Sequence, residues 1–190
     1  HAVEAYASDR IFHLCDLDRI AFALNTSHRN AYLADVQFAN AKARNAPVLF
    51  QRSEQAWSTY PKNYRRIEHL IIQVGELLFS ETYDFAWSYM VMRNGQLETL
   101  LPNIKSHDFG ILIEIVLMLR EQLVRKPVDW LAWEDPYIFG RDPDELRQAR
   151  DNNREETWKR LRGMLPFFEH FLLVISPLSP EQGWDKHNPA

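Results

Sequence analysis

The chain has 190 residues, of which 46% are hydrophobic and 13% aromatic, with 22 basic and 26 acidic side chains and a formal net charge of −4. So apolar a composition excludes wholesale disorder, and the length suits one domain whose core needs no disulfide or metal. The charge balance excludes a global pull toward nucleic acid or anionic lipid, while leaving room for a local basic patch.

From the start of the chain, Val3, Tyr6, Ala7, Ile11, Leu14, Cys15, Leu17, Ala21 and Leu24 recur at helical spacing and predict a helix over 3–24. Asn25, Thr26 and Ser27 stop it and cap a second helix over 28–44, which Pro47 ends. Val48, Leu49 and Phe50 read as a short extended piece, and 53–59 as a helical turn or more. Pro61 suits the first turn of the next helix, whose stripe is Tyr64, Ile67, Leu70, Ile71, Val74, Leu77 and Leu78. Ser80 then reads as the N-cap of a helix over 81–93. At Asn94-Gly95 a left-handed helix stop is preferred. The alternative is a small β-hairpin near 89–99, pairing 89–92 with 96–99.

Residues 109–123, FGILIEIVLMLREQL, form the strongest apolar run. It is long for a strand and too short and too charged for a bilayer span, so it predicts a central helix wrapped by others. Ser106 caps it and Lys126-Pro127 closes it. Glu114, inside the run, requires a hydroxyl or cation from elsewhere if it is buried. Asp142, Pro143, Asp144 and Glu145 open a helix expected to reach about Arg162. Gly163 and Pro166 are expected to separate that helix from a last one over 167–175. The whole predicts an all-α fold: an irregular bundle of six to eight helices in one domain, 1–175, followed by a loose tail, 176–190.

The motifs for chemistry are sparse. Cys15 is the single cysteine, which excludes an internal disulfide and favours a reducing, cytoplasmic or other intracellular compartment. The first ten residues have neither the basic start nor the apolar run of a secretory signal. Six glycines without a phosphate-cradling cluster, and no G-x-S-x-G, argue against nucleotide folds and serine hydrolases. No cofactor is expected. His107-Asp108, with His69 upstream, resembles the His and His-Asp of HD-domain phosphohydrolases. That resemblance spans at most residues 65–151 and implies an all-helical fold. It also implies a divalent metal held by His69, His107, Asp108 and a later Asp, lowering the pKa of a bound water. Residues 102–106 depart from the apolar helix that usually carries the dyad, and Asp129, Asp135, Asp142, Asp144 and Asp151 compete as the later Asp. The alternative is a capping Asp beside an exposed His.

Two clusters suit binding. Lys62, Tyr64, Arg65 and Arg66 mix cations with a flat ring, as single-stranded nucleic-acid sites do. Trp130, Trp133, Tyr137 and Phe139 crowd a connector before a charged helix carrying Arg147, Arg150, Arg154 and Trp158. Rings in a connector either lid the core or concentrate affinity for a partner. The leading expectation is a non-enzymatic protein-interaction or scaffolding module that docks another protein or itself. The rivals are a nucleic-acid-binding protein and the metal-dependent phosphohydrolase. No membrane insertion is expected.

Overall fold

A computed structural model describes residues 9–133 and 142–175. Among them are four strands and eight α-helices: β1 Ile11–Cys15, α1 Leu17–Asn25, α2 Arg29–Lys42, β2 Val48–Arg52, α3 Glu54–Ser58, α4 Lys62–Phe79, β3 Tyr89–Arg93, α5 Asn94–Leu100, α6 Gly110–Leu119, β4 Val124–Val128, α7 Pro143–Asp151 and α8 Arg154–Ile175. Short 3₁₀ turns follow α5 and β4. The sheet order is β1-β3-β2-β4, antiparallel except for the parallel pair β2–β4.

The all-α expectation is therefore corrected to a mixed α/β fold. Side chains of a strand alternate between its faces, and here both faces are covered. Val48 and Phe50 of β2, with Tyr89 and Val91 of β3, pack in one core with Tyr32, Ala39 and Trp130. Leu49, Met90 and Met92 point the other way, into a core with Ile71, Ile113, Val116, Met164, Phe167 and Phe171. The sheet thus lies between a layer of α1 and α2 and a layer of α4, α6 and α8. Its centre is β2 and β3, not the helix of the 109–123 run. That run is helical only over Gly110–Leu119, with Ile113, Glu114, Val116 and Leu119 buried and Phe109 and Met118 exposed.

The other differences have local causes. The 3–24 periodicity contains β1, because Ile11-Phe12-His13-Leu14-Cys15 is largely apolar on both sides and fits either element. Ser80 does not open a helix. It ends α4 in the left-handed conformation, φ 58°, with its N–H donating to the Glu76 carbonyl. Residues 81–88 are connector and β3 follows. Asn94 and Gly95 are neither stop nor hairpin turn, since α5 starts there, with the Gln96 side chain accepting from the Arg93 N–H. Ser106 is not the N-cap of α6, a position held by Phe109. The basic, proline-bearing stretch Val124–Val128 is an edge strand, where Pro127 costs no ladder donor that the sheet needs. Finally, Gly163 and Pro166 do not separate one helix from another. The break falls earlier, at Asn152-Asn153, and α8 runs through Pro166. The expected tail, 176–190, lies outside the described residues.

Candidate functional site

Helix α8 starts because Asn153 caps it: its side-chain oxygen accepts from the N–H groups of Glu155 and Glu156 at 2.9 and 3.2 Å. Acids in the first turn also suit the positive end of the helix. It lies beside α4. Asn63 donates to Thr157, Tyr64 to Glu156, Arg160 binds Glu68, and Phe79 meets Phe171, so the contacts advance together and the helices run parallel.

The inner face of α8 reaches a buried ion cluster. Arg52, at the end of β2, binds Asp84 and Glu68, and Glu68 in turn binds Arg160. Two cations meet two carboxylates, so no buried charge lacks an opposite. Aromatic faces close the cluster: the Arg52 guanidinium lies 3.6 Å from the Trp57 ring centre and 5.0 Å from that of Tyr60. Burial opposes the charge on Arg52, but Asp84 and then Glu68 outweigh it and hold its pKa well above the ordinary value. His69, one residue on, is pushed down by burial and by Arg52 and Arg65. Its ring packs on Trp57, and its Nε2 makes no hydrogen bond among the described residues.

A second polar knot fixes the entry to α6. Glu114 accepts from the N–H groups of Lys105 and Ser106, at 2.8 and 3.2 Å, and from the Ser106 hydroxyl at 3.0 Å. The Ser106 Oγ also lies 3.0 Å from His170 Nδ1. A serine, histidine and glutamate together suggest nucleophilic catalysis, but the order is wrong for it. The carboxylate binds the hydroxyl itself, and although its Oε1 also lies 3.5 Å from His170 Nε2, that nitrogen makes no hydrogen bond among the described residues, so the imidazole is not held as the base of a triad would be. What Glu114 does is hold the 105–106 backbone, answering its need for a hydroxyl from outside its own run.

A cleft of about 640 Å³ opens between the end of β1, residues 86–88, the start of α6 and α8. Trp87, Ile111, Leu112, Met164 and Phe167 give it an apolar wall, with Cys15, Asp16, His107, Asp108, Lys159 and Arg160 as its polar members. Burial raises the pKa of both the Cys15 thiol and the Asp16 carboxyl, and Asp16 and Asp18 respectively add to it. The cations at this cleft are already engaged, Lys159 by Glu155 and Arg160 by Glu68.

Among the described residues the outer face of α8 has no such coverage. Trp158, Leu161, Leu165, Phe168 and Leu172 follow the alternating three- and four-residue spacing of a coiled-coil seam, Phe168 being half-buried against the protein's own core. Trp158 is 62% exposed, Leu165 47% and Leu172 68%. On the neighbouring α4, Leu70 and Leu77 lie seven residues apart on one line, Leu77 being 84% exposed. Single exposed leucines are ordinary; a row of them along a helix is not.

The residues singled out from sequence fall in several places. Trp130 is at 0% exposure in the core, its indole N–H donating to Asp35 at 2.9 Å. Trp133 is half-buried, against Tyr60 and Tyr64, while Tyr137 and Phe139 lie outside the described residues. Arg147 pairs with Asp144 and Arg150 with Glu156, and Arg154 is exposed at the start of α8. Trp158 begins the outer row. In the basic cluster, Lys62, Arg65 and Arg66 are exposed, but Tyr64 is buried, with Trp133 edge-on and its hydroxyl donating to Glu156 at 2.7 Å. That ring offers no free face for a base.

The metal site implied by the HD-type resemblance does not fit these residues. His69 belongs to the Trp57 side of α4, whereas His107 and Asp108 border the cleft, and Asp108 accepts from the Gly110 N–H at 2.8 Å as a turn-stabilising side chain. Among the described residues no three His, Cys, Asp or Glu side chains gather in a way that could hold a metal ion. No helix among them is long and apolar enough to cross a membrane. No family model, curated protein or solved structure matches the chain.

Sequence reasoning missed the Arg52–Glu68–Asp84–Arg160 cluster, whose members are far apart in the chain and share no motif. It also missed most of the outer row. The signal is there in the spacing from Trp158 to Leu172, but Pro166 in the middle of it looks like a helix stop.

Proposed function

We propose that this chain is a non-enzymatic interaction module that docks a protein through the outer face of α8. One observation carries the reading: five large apolar side chains at seam spacing, most of them exposed, on a helix anchored from behind by ion pairs and aromatic contacts. A rigid helix presenting an apolar row fits the way amphipathic helices and grooves recognise one another. The polar knots have structural work to do: Glu114 holds the 105–106 backbone, and the Arg52 cluster neutralises its own buried charges. The nucleic-acid alternative has less to stand on, because Tyr64 is enclosed. A reducing intracellular setting accords with the single cysteine. Replacing Leu165 with a diazirine-bearing residue tests the proposal in the cells that make the protein. Irradiation is expected to give a discrete protein adduct at this position, and none from the same residue placed at Lys62. Absence of any adduct at 165 would contradict docking through this face.

A further inference from the structure

Resting on that reading, we propose that the occupant of the outer face is a second copy of this chain, with the two α8 helices antiparallel about a two-fold axis near Leu165. The seam positions are a (Trp158, Leu165, Leu172) and d (Leu161, Phe168). Their flanks differ. On the g side stand Thr157, Met164 and Phe171, which the protein's own α4 and core already occupy: Asn63 donates to Thr157, Phe171 meets Phe79, and Met164 is buried. On the e side stand Arg162 and Glu169, both exposed. Neither makes an ion pair among the described residues, whereas Lys159 and Arg160 on the same helix are paired.

The flanking charges choose the orientation. In a parallel pair an e residue faces a g residue of the other helix, and every g position here is uncharged and already packed. In an antiparallel pair e faces e. Placing Leu165 across from Phe168 of the second copy puts Leu161 across from its Leu172. The same register sets Arg162 within about one helical turn of Glu169 of the second copy, and the two-fold axis repeats the pair. The charges are opposite and the patch is self-complementary, as a closed two-fold interface requires. Pro166 is at a b position, off the seam, so the residue that lacks an N–H does not enter the contact.

Light scattering on the full chain, together with Arg162→Glu, Glu169→Arg and the double exchange, tests this. Both positions are exposed, so circular dichroism is expected to show unchanged helix in all four. The wild type is expected to have the mass of two chains, each single exchange to raise the dissociation constant at least about tenfold, and the double exchange to recover most of it. A wild type with the mass of one chain at all concentrations overturns the proposal, as do single exchanges that dimerise like the wild type. A double exchange that stays as weak as the singles overturns the antiparallel register. The diazirine at position 165 separates this failure from failure of the docking reading. An adduct with the mass of two chains supports self-pairing, and one to a different protein leaves docking intact while removing the second copy. An adduct within one chain, or none, removes both.

Discussion

Arg160 and Arg162 stand two residues apart on α8 and live in opposite surroundings. Arg160 turns inward to Glu68, which is also bound by Arg52, in a cluster closed by Trp57, Tyr60 and Tyr64. Arg162 turns outward beside an exposed apolar row and meets no acid among the described residues. The same residue type therefore does two jobs. On the inner face charge is used to position the helix, because a buried carboxylate without its cation is costly. On the outer face the charge meets no acid among the described residues and stands beside a row of large, mostly exposed apolar groups.

That contrast can be broken from the inside first. Arg52→Ala leaves Asp84 and Glu68 facing each other with one cation fewer, and its unfolding free energy is expected to fall by about 3–5 kcal/mol, read from urea denaturation. Gly75→Ala comes next. The added methyl would collide with the buried Phe85 ring, so the ring or α4 must shift, at an expected cost of about 1–3 kcal/mol. Ser53→Ala removes the side-chain acceptor of the Ala56 N–H at the start of α3, for about 1 kcal/mol.

A pH titration of stability reads the edge of the ion cluster. His69 has a pKa below its ordinary 6.5 in the folded chain, from burial first and then Arg52 and Arg65. The unfolded chain therefore binds more protons just below that value, so His69 favours folding above it. Its contribution is lost as pH falls from 6.5 through the lower folded value. His69→Gln should flatten the stability curve over that window and leave it unchanged above about pH 7.5. The smallest effect belongs to the outer face. Leu165→Glu, measured in dilute solution, should change unfolding free energy by no more than about 0.5 kcal/mol, despite introducing a charge into the middle of a 22-residue helix.

How much of this was legible in the sequence follows the same division between inside and outside. The α4 stripe, the Ser53 turn, the Val48–Phe50 strand and the Asp142 cap all rest on local patterns, and each is present where its pattern places it. The sheet as a whole was not legible. β1 is apolar on both sides and so mimics a buried helix. β4, VRKPV, has too few apolar residues to announce itself and is held by its pairing with β2. Glu114 announced a need for partners but could not name Lys105 and Ser106, which reach it through a loop. The ion cluster has no local signature at all, since Arg52, Glu68, Asp84 and Arg160 come together only once the sheet and two helices have packed. Pro166 hid the longest of the described helices, because a proline inside a pattern usually ends it.

Thiol labelling in a Cys15→Ser background compares the two faces of α8 most directly, with Met164→Cys inside and Leu165→Cys outside. In dilute solution the outer thiol is expected to react close to the rate of a free peptide thiol and the inner one far more slowly, and concentrating the protein should slow only the outer one. Equal rates at the two positions, or an outer thiol shielded even at high dilution, would contradict an outer face held open for a partner.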